Sequence, residues 1–183
     1  MKCKIVSLTK GNGKSFLPHG QLINDQGWVS HDGEEIVRNV GLVVRDLLEK
    51  ANVSEQDVSA IGISNQRETT IAWDRETGKP VDHAIVWQCA RAKEITASMD
   101  ADFAARVKER TGIPLSPYFP AAKAAWILRS HPLARELAEE GKLCIGTVDV
   151  WLVFKLTGGK VFRTDYSNAS RTQLFNLHTL RWA

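Results

Sequence analysis

Residues 60–87 read Ala60-Ile-Gly-Ile-Ser-Asn65-Gln-Arg-Glu-Thr-Thr70-Ile-Ala-Trp-Asp-Arg75-Glu-Thr-Gly-Lys-Pro80-Val-Asp-His-Ala-Ile85-Val-Trp87. The short apolar run predicts a buried strand over residues 60–64, which delivers Asn65, Gln66, Arg67 and Glu68 at its carboxyl end. In an open α/β sheet, ligands bind outside the carboxyl ends of the strands. An Arg beside a Glu offers a fork of donors and a carboxylate acceptor to a small hydroxylated molecule. The same two side chains also suit an ordinary surface ion pair, which is worth little. Residues 70–73 and 84–87 predict two further strands, joined through the turn Thr77-Gly-Lys-Pro80. Trp87 ends the second of them and suits either an apolar wall for a ligand or burial in the core.

Upstream, Asp32-Gly-Glu-Glu35 predicts a helix start, with Asp32 as N-cap and Glu35 placed as in a capping box. Ile36, Val40, Val43, Val44, Leu47, Leu48 and Ala51 then recur at helical spacing. Downstream, the composition predicts a helix over residues 91–110, ended by Thr111-Gly112, and an irregular stretch around Pro114 and Pro117. Short helices follow over 121–129 and 133–139, then a strand over 143–146 and a helix over 147–156 closed by Thr157-Gly-Gly159. This alternation predicts an α/β domain.

The 183 residues amount to about one domain. Lys and Arg number 24 against 21 Asp and Glu, a net +3 that does not argue for nucleic acid. Cys3, Cys89 and Cys144 form no Cys-x-x-Cys pair, and residues 1–14 do not read as a secretory segment. A reduced, cytoplasmic protein is expected. No apolar stretch approaches a membrane span, so no membrane partner is expected. His19, His31, His83, His131 and His178 show no ligand spacing, and no metal site is assigned. Gly11-Asn-Gly-Lys-Ser15 resembles the tail of a Walker loop, but Leu8 stands where glycine is required; a flexible, solvated loop is expected. Cys89 has no local histidine base, and Asp149 and Asp165 read as structural carboxylates.

The longer motifs carry a family resemblance. They are Asn65-Gln-Arg-Glu-Thr-Thr70, Trp73-Asp-Arg-Glu-Thr-Gly-Lys-Pro80 and Ala84-Ile-Val-Trp-Gln88, followed by Pro117-Tyr-Phe119, Lys123, Trp126-Ile-Leu128, Gly146-Thr-Val-Asp149, Trp151-Leu-Val153, Lys155-Leu-Thr-Gly-Gly159, Thr164-Asp-Tyr166 and Asn168-Ala-Ser-Arg-Thr172. Over residues 27–182 the chain resembles the amino-terminal half of the glycerol-phosphorylating members of the FGGY carbohydrate kinase family. The preference for a polyol over a pentulose rests mainly on Arg67-Glu68 and Pro117-Tyr118-Phe119.

The resemblance implies a ribonuclease-H-like (actin-like ATPase) α/β fold, with a mixed sheet flanked by helices and incomplete at the amino terminus. Residues 1–20 are an atypical segment, in which residues 9–15 replace the family's acidic phosphate-binding turn. Residues 21–183 correspond to the polyol-binding domain, incomplete at its carboxy end. By resemblance, Arg67 and Glu68 hydrogen-bond the hydroxyls of glycerol, Trp87 lines its apolar back and the Tyr118 hydroxyl contacts it. ATP and Mg2+ serve the complete family enzyme, chiefly on a second domain. The family's catalytic Asp lies carboxy-terminal to Ala183, so no catalytic residue is assigned. Cys89 and Ala90 depart from the Asp and Arg that usually follow Trp-Gln, beside the pocket.

The implied function is that of the substrate-binding half of an ATP-dependent glycerol kinase, inactive as an isolated chain. A non-catalytic polyol-binding module, a kinase for another polyol or ketose, and a P-loop protein dependent on Lys14 are the alternatives. The expected partners are glycerol or a similar small polyol, a separate carboxy-terminal kinase half, and further copies of the chain through exposed apolar surface.

Overall fold

The computed structural model describes residues 2–8 and 11–183, with side chains from Lys14 onward. β1 (Lys2–Leu8) and β2 (Gly11–Pro18) pair as an antiparallel hairpin, separate from the main sheet. The Walker-like residues 11–15 therefore lie in a strand, contrary to the expected flexible loop, and no helix follows them to hold phosphates. Thr9 and Lys10 of the atypical segment lie outside the described residues.

After β3 (Leu22–Ile23) and β4 (Val29–His31) comes α1 (Gly33–Ala51), the longest helix described. Asp32 caps it as expected, its Oδ1 accepting the N–H groups of Glu34 at 2.8 Å and Glu35 at 3.3 Å. The capping box is not closed. The Glu35 carboxylate instead accepts the Gly20 N–H at 3.1–3.2 Å, tying the preceding segment to the helix. Asn39 Nδ2 donates to the Pro18 carbonyl at 3.1 Å, and Ser15 bonds Asp46, so the hairpin is anchored on α1. The helix ends at Asn52 in the left-handed region, φ 49°.

The central sheet has the order β3-β4-β6-β5-β7, where β5 is Thr70–Asp74, β6 is Ala84–Ile85 and β7 is Leu143–Thr147. Among the described residues, each of its ladders is antiparallel. The buried strand expected over residues 60–64 is not there: these residues belong to no strand, and Ile61 is 64% exposed. An extended run needs a neighbour with free backbone groups, and β5 is already paired on both sides, with β6 and β7. Ile63 instead packs on the cluster of Ile36, Val40, Val148 and Leu152.

Helices cover both faces of this sheet. Alternation along β5 sends Ile71 and Trp73 to one face, with Trp151 and Phe154 of α6 (Val148–Leu156). Ala72 faces the other way, with Ile127 of α4 (Pro120–Ser130) and Ala134 of α5 (Pro132–Glu139). The single helix expected over residues 91–110 is two, α2 (Lys93–Ala97) and α3 (Ala101–Thr111). Asp100 breaks it because its side chain caps α3, accepting the Phe103 N–H at 2.6 Å. The described chain closes with α7 (Tyr166–Ala169) and the short hairpin of β8 (Phe175–Asn176) and β9 (Arg181–Trp182). Among the described residues no helix is long and apolar enough to cross a membrane.

Candidate functional site

β5 and β6 pair antiparallel, with Thr70 opposite Ile85. Glu68 lies in the turn just before β5 and Trp87 in the turn just after β6, so both sit at this end of the pair. The Trp87 N–H donates to Thr69 Oγ1 at 3.3 Å, which fixes this end of the pair. Trp87 is 37% exposed, whereas Trp73 and Trp151 are fully buried, so Trp87 is not a core tryptophan. Its ring meets Tyr118 edge-on at 5.7 Å. Tyr118 sits in a turn closed by Ser116, whose Oγ accepts the Tyr118 N–H at 3.2 Å, just before Pro120 opens α4. Glu68, Trp87 and Tyr118 thus gather at the ends of β5, β6 and the loop into α4.

Arg67 and Glu68 do not form the ion pair that their adjacency suggests. Glu68 is buried, and its Oε1 accepts from Arg171 Nε at 2.9 Å. The Arg171 guanidinium also lies 4.9 Å over the Phe119 ring. The Arg67 side chain is exposed and, among the described residues, makes no hydrogen bond or ion pair. Its donors are open to a ligand, but the structure does not bring it onto Trp87 or Tyr118.

Behind these residues lies Lys123, on α4 and fully buried. Its Nζ donates to the Glu68 carbonyl at 3.0 Å and to the Tyr118 carbonyl, and stands 5.8 Å from the Tyr118 ring. Burial pulls its pKa down to about 7, opposed by Cys89 and Glu68 and helped by Arg91. Lys123 and Arg171 fall within motifs of the sequence but received no role there. One signal was present: a lone lysine in the apolar run Ala121-Ala-Lys-Ala-Ala-Trp-Ile-Leu128 has few reasons to be buried unless its charge is engaged.

Cys89, one of the two unusual positions, is buried and hydrogen-bonded. Its Sγ accepts from the Val29 N–H at 3.4 Å and from Arg91 Nε at 3.1 Å. Arg91 in turn reaches the Ser30 hydroxyl at 2.6 Å and lies between Trp28 and Trp126 at 5.2 and 5.1 Å. Ala90 is exposed. Asp149 is occupied as a structural acceptor, taking bonds from Thr147, from Asn65 at 3.2 Å and from Thr164 at 2.7 Å. Asp165 caps α7, and the Asn168 N–H holds its carboxyl below the usual range.

A cavity of about 510 Å³ lies nearby, bounded by residues including Thr70, Ile145, Val150, Phe162 and Leu174; none of the four expected ligand residues lines it. Among the described residues no three His, Cys, Asp or Glu side chains gather as a metal site. The described carboxylates of this region are engaged by Arg171, by threonines and by a helix end.

The model of the FGGY family of carbohydrate kinases, N-terminal domain, matches residues 10–183. A glycerol kinase of Symbiobacterium thermophilum is 51% identical over 163 residues, covering 88% of this chain and 33% of that protein. A glycerol kinase of Clostridium beijerinckii is 52% identical over 164 residues, with coverage of 88% and 33%. Among solved structures, Plasmodium falciparum glycerol kinase with ADP superposes with a TM-score of 0.85 at 35% identity, over 93% of this chain and 34% of that one. A xylulose kinase of Rhodospirillum rubrum gives a TM-score of 0.77 at 19% identity, a likeness of fold alone. The chain spans about a third of the length of the curated relatives it matches.

Proposed function

The chain belongs to the FGGY family of carbohydrate kinases, and from that membership we propose that it forms the polyol-binding part of an ATP-dependent glycerol kinase. In this reading Glu68 accepts from the hydroxyls of glycerol, Trp87 and Tyr118 bound its carbon face, and Arg67 closes over it as donor. The observation that carries the reading is the meeting of Glu68, Trp87 and Tyr118 at one sheet end, in a chain about 50% identical to glycerol kinases. A buried carboxylate held by a guanidinium keeps an oxygen for a hydroxyl donor, and two aromatic rings exclude water from the far side.

Phosphoryl transfer to glycerol, giving glycerol 3-phosphate, is proposed for the whole kinase. ATP supplies the transferred phosphoryl group, and magnesium neutralises its charge. The part proposed for this chain is to bind and orient the alcohol. A further polypeptide segment carrying the nucleotide site, a cytoplasmic setting and self-association belong to the same proposal. The apolar side chains of Leu156, Tyr166, Leu180 and Trp182, each about half exposed or more, support self-association.

Calorimetric titration of glycerol, dihydroxyacetone and a pentulose into the purified chain tests the reading. Glycerol is expected to bind most tightly. Preference for the pentulose would transfer the assignment to a ketose kinase, and absence of heat with all three would remove the polyol site.

A further inference from the structure

Lys123 is the one fully buried lysine described, and its position is unusual. A buried ammonium is tolerated where hydrogen bonds replace its water. Here the replacements are two backbone carbonyls from separate parts of the chain, Glu68 at the start of β5 and Tyr118 before α4. The side chains of those same two residues are the acceptor and one aromatic wall of the site.

We propose that Lys123 is the positioning residue of this site: its ammonium ties the Glu68 backbone to the Tyr118 backbone, sets the carboxylate and the ring at a fixed separation, and links polyol affinity to the charge on Lys123. The inference rests on the polyol reading above. An ammonium donates stronger, charge-assisted bonds to carbonyls than a neutral amine. Loss of the proton therefore loosens the tie and lets the Tyr118 turn move relative to β5. Burial brings that loss into the neutral range, at about 7. The charged or titratable groups around the amine are Glu68 on the β5 side, Cys89 and Arg91 after β6, and the Tyr118 ring; Arg171, beyond Glu68, keeps that carboxylate engaged. Glu68 and Cys89 favour the ammonium, whereas Arg91 disfavours it.

The charged fraction falls from roughly nine-tenths at pH 6 to roughly one-tenth at pH 8 for a group titrating at 7. If the ammonium form alone binds, apparent glycerol affinity falls about ninefold across that interval. Glycerol affinity measured by calorimetry from pH 6 to pH 8 tests this in the wild-type chain, in Lys123→Met and in Lys123→Arg. The wild type is expected to weaken three- to ninefold. Lys123→Met is expected to be weak at both ends with a flat profile, and Lys123→Arg, which keeps its charge, to be flat near the wild-type affinity at pH 6. A flat wild-type profile, or a pH dependence that survives in Lys123→Met, overturns the proposal.

A ligand-free measurement separates this inference from the polyol reading. The chain has two tyrosines, Tyr118 and Tyr166. In carbon-13-tyrosine-labelled protein the Tyr118 ring signals are expected to shift with a midpoint near pH 7, while those of Tyr166 stay still. Lys123→Met is expected to abolish the shift. Should glycerol fail to bind while the Tyr118 shift is present, the polyol reading falls and the tie stands. Should glycerol bind while the Tyr118 signals ignore pH, the tie falls.

Discussion

Replacing Arg171 by alanine strikes the contact that holds the acceptor carboxylate. Arg171 Nε lies 2.9 Å from Glu68 Oε1, with side-chain exposures of 28% and 9%. A hydrogen bond to a charged group is worth about 1.5–3 kcal/mol, and breaking a fully buried pair costs about 3–5 kcal/mol. Glu68 is buried but Arg171 keeps some water, so the loss is expected at about 2–3 kcal/mol, between the two cases. For a domain of this size that corresponds to a fall in Tm of about 4–12 °C. Arg171→Lys retains charge but not the planar fork or the stacking on Phe119, and is expected to recover part of the loss. The assay is urea denaturation of wild type, Arg171→Ala, Glu68→Gln and the double variant, read as a double-mutant cycle. A coupling energy of about 1.5 kcal/mol or more is expected. Additivity within about 0.5 kcal/mol would refute the claim that Arg171 holds Glu68.

The other expectations concern acid stability, turnover and association. Burial, then the charge of neighbouring His19, lowers His31 to about 4, below its ordinary 6.5; the unfolded chain therefore binds more protons between these values. Stability is expected to be full above about pH 6.5 and to fall toward pH 4 with a slope approaching 1.4 kcal/mol per pH unit. Urea midpoints across that range measure the slope, which His31→Gln should flatten. Purified chain with ATP, magnesium and saturating glycerol is expected to give no coupled-assay turnover, because Glu68, Asp149 and Asp165 are each engaged structurally; turnover lost in Glu68→Ala would contradict this. Sedimentation at rising concentration is expected to reveal self-association, reduced by Trp182→Ser; a concentration-independent monomer would count against it.

Much of the fold could be read along the chain because its signals are local. The alternation around Ile71 and Trp73, the glycine turn after β5 and the Asp32 cap each depend on a few neighbouring residues. The failures share a different cause. Residues 60–64 have the composition of a strand, yet a strand exists only through its neighbour, and the sheet positions beside β5 are taken by β6 and β7. Glu35 has capping-box spacing, but Gly20 competes for its carboxylate. The same holds at the site. Trp87 and Tyr118 were named from their motifs, and their rings meet. The partner of Glu68 is not legible, because Arg67 is adjacent in sequence while Arg171 arrives only when the residues after α7 meet the start of α4, where the Ala121 N–H donates to the Thr172 carbonyl at 2.9 Å. The carbonyl contacts of Lys123 likewise depend on a register that no local pattern specifies.

Glycerol binding at the end of β5 and β6 is the central claim, and the indole signals of the six tryptophans report on it directly. Proton–nitrogen spectra recorded as glycerol is added, with Trp87 assigned through Trp87→Phe, follow each ring separately. The account predicts a saturable shift of Trp87, still indoles for the buried Trp73 and Trp151, and loss of the Trp87 response in Glu68→Gln. A Trp87 signal that does not move under saturating glycerol, or one that moves equally in Glu68→Gln, would contradict it.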